Sequence, residues 1–318
     1  MIRFKNYIFA LLCVTAFSYS SLTIAAMDSR GTEFMFAFPP NYTNSGNLSL
    51  FISSESDASG TIEIPGLSFV QPISIRANEV TQVRLPLNAQ HTAANSIKSL
   101  GIRVVTDQEV TVYGLNQFRA STDAFLALPV DVLGIEYLNI SYQGLGSYPS
   151  QMLVTGVYDG TEVTITPTTA TTGRTAGTPF NLTLNAGDSY LLQATSGDLT
   201  GTTVNASSPV SVMGAVKCVN VPVGYYACDH IVEMLPPVAT WGQSFVTIPL
   251  ATRKKGEVFR ILASENNTQI TVNGDPAATL QRGQHHEIIL TAPSEITADA
   301  PVLLAQYSPG QAFDGVIS

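Results

Sequence analysis

The sequence predicts an all-β chain made of tandem, β-sandwich-like modules of about 100 residues each. Three observations carry this. Nowhere do apolar residues recur at the 3.6-residue helical period for three turns. Short alternating runs rich in Val, Ile, Thr, Phe and Tyr dominate instead, bounded by Gly, Pro, Asn, Asp and Ser. A Gly-x-Glu/Ser-aromatic start also recurs, at Gly31-Thr32-Glu33-Phe34, Gly134-Ile135-Glu136-Tyr137 and Gly242-Gln243-Ser244-Phe245, 103 and 108 residues apart.

Residues 1–26 read as a signal peptide. Arg3 and Lys5 precede an apolar run from Tyr7 to Phe17, and small residues at Thr23, Ala25 and Ala26 close it, with cleavage expected after Ala25 or Ala26. The run falls short of the roughly 20 residues a spanning helix needs, so a retained anchor is the weaker reading. A lipid-modified Cys13 is weaker still, because Leu12 stands where that processing wants a small residue. The expected location is secreted, periplasmic or at the cell surface. Cleavage removes two basic residues and leaves 13 Lys and Arg against 24 Asp and Glu, a formal charge of −11. The densest basic run is Arg253-Lys254-Lys255. Phosphate binding needs a concentrated positive field, so no nucleic-acid partner is expected. Without a second long apolar segment, neither is membrane insertion after cleavage.

The modules are read as 27–133, 134–241 and 242–318. Each repeats an order of strands: Thr61–Ile64, Thr161–Ile165 and Thr268–Val272; a turn at Ala77-Asn78-Glu79, Ala186-Gly187-Asp188 and Arg282-Gly283-Gln284; then Glu109–Val112, Pro209–Val212 and Pro301–Leu304. Gly and Asn suit these turns because they accept positive φ. The first two modules close on an acidic residue, a Leu-Pro and a Gly: Asp123, Leu128-Pro129 and Gly134, then Asp229, Leu235-Pro236 and Gly242. Proline gives no N–H to a ladder and marks where pairing stops. The third module is 77 residues and reads as incomplete, which leaves a strand edge open for self-association. Separate sandwiches and a propeller-like ring both fit the repeat.

Cys218 and Cys228 are the two cysteines outside the signal segment, and an even count in an exported chain reads as a disulfide. The alternative, a metal held by Cys218, Cys228, Asp229 and His230, has wider spacing than the usual zinc knuckles. Neither metal nor cofactor is expected. Calcium among Asp57, Asp107, Asp123 and Asp159 would need carboxylates from separate turns to converge.

No nucleophile elbow appears, so catalysis ranks last. Asp229, His230 and Glu233 form a polar cluster read mainly as satisfying backbone groups at the module exit; metal or acid–base work is the functional alternative, and Asp229 and His230 join Tyr225 and Tyr226 as candidate binding residues. His285 and His286 are neighbours in a strand and point to opposite faces. Tyr225 and Tyr226 sit inside the cystine loop, where a rigid, aromatic contact surface loses little entropy on binding; covering the disulfide is the equal alternative. Trp241, before Gly242, reads as packing the junction together with Glu233, Leu235 and Pro236. Sequons occur at Asn41, Asn47, Asn139, Asn181, Asn205 and Asn266.

The segment with Leu199-Thr200-Gly201, Val204, Ala206, Pro209-Val210, Cys218, Cys228-Asp229-His230, Val232-Glu233, Leu235-Pro236 and Trp241-Gly242 resembles the IgGFc-binding protein N-terminal domain family. The opening GTEFMFAFPPNY is similar to that family's first strand. The resemblance runs from about Gly31 to the end of the sequence. It implies a non-enzymatic binding or adhesion module that meets protein or glycan ligands through loops and sheet edges. A structural component of a surface complex is the alternative, a hydrolase the remote one.

Overall fold

The computed structural model describes residues 28–43, 45–226, 228–251 and 253–315; the signal-peptide reading of 1–26 lies outside them. The regular structure is nearly all β, in three curled sheets consistent with tandem β-sandwich-like modules.

The first sheet holds β1 (Gly31–Phe36), β2 (Asn47–Ser53), β3 (Ala58–Ile64), β4 (Phe69–Ile75), β5 (Val80–Leu85), β7 (Ile102–Phe118) and β8 (Ser121–Ala127). The short β6 (Ile97–Lys98) crosses to the second sheet. That sheet holds β9 (Gly134–Leu138), β10 (Ser150–Gly156), β11 (Thr161–Thr166), β12 (Phe180–Leu184), β13 (Ser189–Gln193), β14 (Thr203–Val219) and β15 (Asp229–Met234). The third holds β16 (Gly242–Thr247), β17 (Glu257–Ala263), β18 (Thr268–Val272), β19 (Asp275–Leu280), β20 (His285–Leu290) and β21 (Ser294–Tyr307).

Each sheet is organised on one long strand, β7, β14 or β21, whose two halves serve different neighbours. The first half of β7 pairs with β1 and β3, the second with β2 and β8. Alternation explains the strand: Ile102, Val104, Val110 and Val112 turn inward. It breaks at Asp107, Gln108 and Glu109, which are all exposed, and the register with β1 shifts there. Such a bulge bends the strand so that one segment contributes to two layers. The register shifts at the matching places in β9–β14 and β16–β21.

The turn chemistry repeats as well. Asp57, Asp159 and Asn266 each accept a hydrogen bond from the backbone N–H of the turn preceding the next strand, at Ala77 (2.8 Å), Ala186 (3.0 Å) and Arg282 (3.0 Å). Asp107 and Asp299 likewise accept from Ser59 and Gln269. Of the four acids weighed for calcium, Asp57 and Asp159 thus cap donors in separate turns, Asp107 ties the β7 bulge to β3, and Asp123 accepts from Val232 N and Ala124 N.

One repeat register differs from the sequence reading. Pro129 precedes a 3-10 turn at 130–132 and its ring covers Gly31; Pro237 precedes the turn at 238–240 and covers Gly134. Pro237, not Pro236, is therefore the counterpart of Pro129. The two consecutive prolines made the alignment ambiguous by one residue.

The sheets interlock. β6 pairs with β13, and β8 lies beside β15, tied by Thr122 N to Asp229 Oδ1 (3.0 Å), His230 N to Ser121 Oγ (2.8 Å) and Val232 N to Asp123 Oδ2 (2.9 Å). One apolar cluster runs from Phe34, Met35 and Phe36 into Leu153, Leu191 and Met213 of the second sheet. A second runs from Leu138 and Ile140 into Leu262 of the third. At both junctions glycines let backbones meet: Gly101 donates to Gly187 O (2.8 Å), and a Cβ on Gly201 would strike Gly283 O.

Candidate interaction site

Cys218, near the end of β14, is disulfide-bonded to Cys228, just before β15. The sulfurs are thereby removed from the alternative metal set. Among the described residues no group of three or more His, Cys, Asp and Glu is placed to hold a metal ion. The loop so closed docks on a turn at Gln311–Asp314: Gly310 N donates to Val221 O (2.7 Å) and Ala312 N to Tyr226 O (3.1 Å). Tyr225 sets its ring edge-on to buried Phe313, centroids 5.0 Å apart. Tyr226 projects outward, 76% exposed, beside exposed Val223. The two tyrosines thus do different things: one anchors the loop, the other is presented by it.

Asp229 and His230 lie elsewhere. The Asp229 carboxylate bridges β15 to β8, and His230 is buried. His230 Nδ1 lies 2.7 Å from Val216 O, to which it donates, and Nε2 has no protein partner. Burial pulls its pKa down to about 4. Leu235 is buried and donates its N–H to Val212 O; Trp241 packs on the second core and donates Nε1–H to Pro236 O (3.2 Å). Gly242 opens β16 opposite Val302. Of the sequons, Asn41 and Asn139 are fully buried, and Asn41 donates to Asn116 O and Ser121 O.

A groove of about 840 Å³ runs between β8, β15 and the second half of β21. Leu303–Tyr307 of β21 pairs with β17 along one edge, and beyond the Gly242–Val302 pairing no strand covers the other among the described residues. The matching edges of β7 and β14 are covered by β8 and β15. Three acids line the groove, Asp123, Asp229 and Glu233; burial, helped by a neighbouring carboxylate, raises Asp123 to about 6 and Glu233 to about 7. Glu233 keeps solvent along one side, and water there tempers the push of burial.

These groups set opposing pH trends. Unfolded, His230 takes its proton near 6.5; folded, it does so only near 4. Stability therefore falls as pH drops through that window and levels off below it. His91, also held at about 4 by burial, acts in the same sense. Asp123 and Glu233 release protons at 3.8 and 4.5 when unfolded but near 6 and 7 when folded, so their contribution falls as pH rises through those windows. Replacing His230→Asn should flatten the acid limb between pH 6.5 and 4. Urea unfolding across a pH series checks this, and an unchanged slope would rule His230 out as its source.

Sequence reasoning missed Arg260. It lies in β17, whose seven residues are all buried, and that lone cation in a buried strand was the available signal. Its Nη1 donates to Asp198 Oδ2 (2.6 Å) and Ser141 O (2.8 Å), and its Nε to Glu287 Oε2 (2.8 Å). The guanidinium stacks 3.7 Å over the Tyr142 ring, and Tyr307 OH also donates to Ser141 O (2.8 Å). Second and third sheets are thus pinned through one side chain.

The family model for the IgGFc binding protein matches residues 123–318. The chain belongs to this family. It is 28% identical over 262 residues to the human IgGFc-binding protein, which covers 78% of this chain and 5% of that protein. The chain therefore spans about 5% of the length of this curated relative. A solved chain of a 1.5-MDa bacterial ice-binding adhesin aligns over 82% of each chain at 11% identity and a TM-score of 0.16, a likeness too slight to carry fold or function. Membership makes binding the family's named property. Among the described residues no helix is long and apolar enough to cross a membrane.

Proposed function

We propose that this chain is an exported, non-enzymatic binding module that engages a protein or glycoprotein through the cystine loop, with modules at 27–133, 134–241 and 242–318. The observation that carries the reading is Tyr226, exposed on a loop closed by a disulfide and docked through Tyr225. A ring held out from a pre-ordered loop adds contact area without a large ordering cost. The human relative's printed name makes the Fc region of IgG the first probe; a purified mucin is the second, as a representative of the glycoprotein class proposed.

Saturable binding of the chain to either probe is expected, and Tyr226→Ala should weaken it about tenfold or more. Tyr113→Ala, on another sheet, should leave it unchanged. Absence of saturable binding to both probes, or equal affinity for the Tyr226→Ala chain, would remove the cystine loop from the function.

The edge of β21 that no strand covers among the described residues favours a second reading, a component of a surface assembly that accepts a strand from another polypeptide. A peptide with the β15 sequence should then bind the groove, and a version with proline in place of Val232 should not.

A further inference from the structure

The first two sheets open on a strand whose outer residues meet the next sheet, and among the described residues the third sheet's opening strand meets no further sheet. Pairing with the long strands fixes the equivalence: Gly31, Gly134 and Gly242 stand opposite Val110, Val210 and Val302. Four residues on, Met35 is 4% exposed and Leu138 1% exposed, whereas Val246 is 74% exposed. Two further on, Ala37 and Ile140 are buried and Ile248 is 65% exposed. Leu250, beyond it, is exposed as well. Aliphatic side chains have been kept in an outward row where solvent alone would favour polar ones.

The opposite end of the array shows the complementary gap. The surface that covers Met35 and Ala37 is built on β10 and β14, where Leu153 stands opposite Met213. The matching pair in the first sheet is Phe51 opposite Tyr113. No sheet precedes it among the described residues, and Tyr113 is 47% exposed. A stacked array normally ends in polar caps; the described residues instead present an aliphatic row at one end and an aromatic pair at the other.

We infer that a second copy of the chain docks head to tail, its Phe51–Tyr113 face on the Val246–Ile248–Leu250 row, repeating between molecules the contact made twice within one. Such an interface is heterologous, and repetition extends it into a filament or closes it into a ring. The internal junctions bring glycines together, whereas the corresponding positions at the ends are Pro293 and Asn78. Proline has no N–H for the bond that Gly101 makes, so the intermolecular contact is looser and reversible with concentration. This surface is separate from the β21 edge and the cystine loop, so ligand or strand binding can fail while self-association holds, and the reverse.

Sedimentation of the signal-free chain over a wide concentration range tests the proposal. Mass should rise with concentration in the parent chain. Ile248→Asp and Tyr113→Asp, each with a far-ultraviolet spectrum and melting temperature like the parent's, should both be monomeric. An equimolar mixture of the two should form dimers and stop there, since each retains one competent face. The β15-sequence peptide should not dissolve them. A parent chain that stays monomeric throughout, an Ile248→Asp chain that still associates, or a mixture that fails to dimerise would each overturn the inference.

Discussion

Replacing Arg260→Ala is expected to destabilise the chain by about 3 kcal/mol, the largest effect of any single side chain considered. The loss has two sources. Asp198 and Glu287 are left with a charge and no cation, and the slot over Tyr142 empties. Both acids keep partial solvent access, which places the cost at the lower end of what breaking an enclosed ion pair entails. Arg260→Lys should retain the charge but lose the fork that reaches Asp198 and Glu287 together, and recover less than half of the loss. Equilibrium unfolding in urea measures both. A double-mutant cycle with Asp198→Asn should show coupling above about 1 kcal/mol; additive behaviour would show that Arg260 acts by packing alone.

The legibility of the fold depended on the range of the interaction. GTIEIPG, TEVTITPT, TQITVNG and HHEIILT read as strands from alternation, and they became β3, β11, β18 and β20. The turns at Asn78, Gly187 and Gly283 were equally plain, and all three residues adopt positive φ. What pattern reading did not reach was the length of β7, β14 and β21. The bulge in β7, at Asp107–Glu109, looks like a turn in the sequence, because exposed polar residues interrupt alternation in both cases.

The site was legible in part for the same reason. The cystine loop is local, ten residues apart, and its tyrosines could be placed on it directly. That Tyr225 would face Phe313 could not be read, since the two are brought together only by the return of β21. Arg260 meets Asp198, Tyr142 and Glu287 across a sheet boundary, and no spacing rule encodes such a meeting. The exposed row at Val246 and Ile248 differs from Met35 and Leu138 in its neighbours alone. Residue type is apolar at every one of these positions, so only burial separates them.

Opening the cystine loop is the second large effect. A closed loop with a sequence separation of ten restrains the unfolded chain by about 3 kcal/mol on the chain-entropy model. Cys218→Ser with Cys228→Ser should lower stability by that order. The consequence for binding is more specific than the loss itself. Gly310 N and Ala312 N are bonded to carbonyls of the loop, and Phe313 is packed against its Tyr225, so the loop and the turn at 311–314 hold each other. Without the disulfide both should loosen together, and hydrogen exchange at Gly310 and Ala312 should quicken alongside exchange within the loop. Tyr226 would then have to be ordered at the moment of contact, so affinity should fall even though its ring is untouched. Were the Gly310 and Ala312 amides to stay protected in the double-serine chain, packing on Phe313 alone would suffice to order the loop, and binding through Tyr226 should survive reduction.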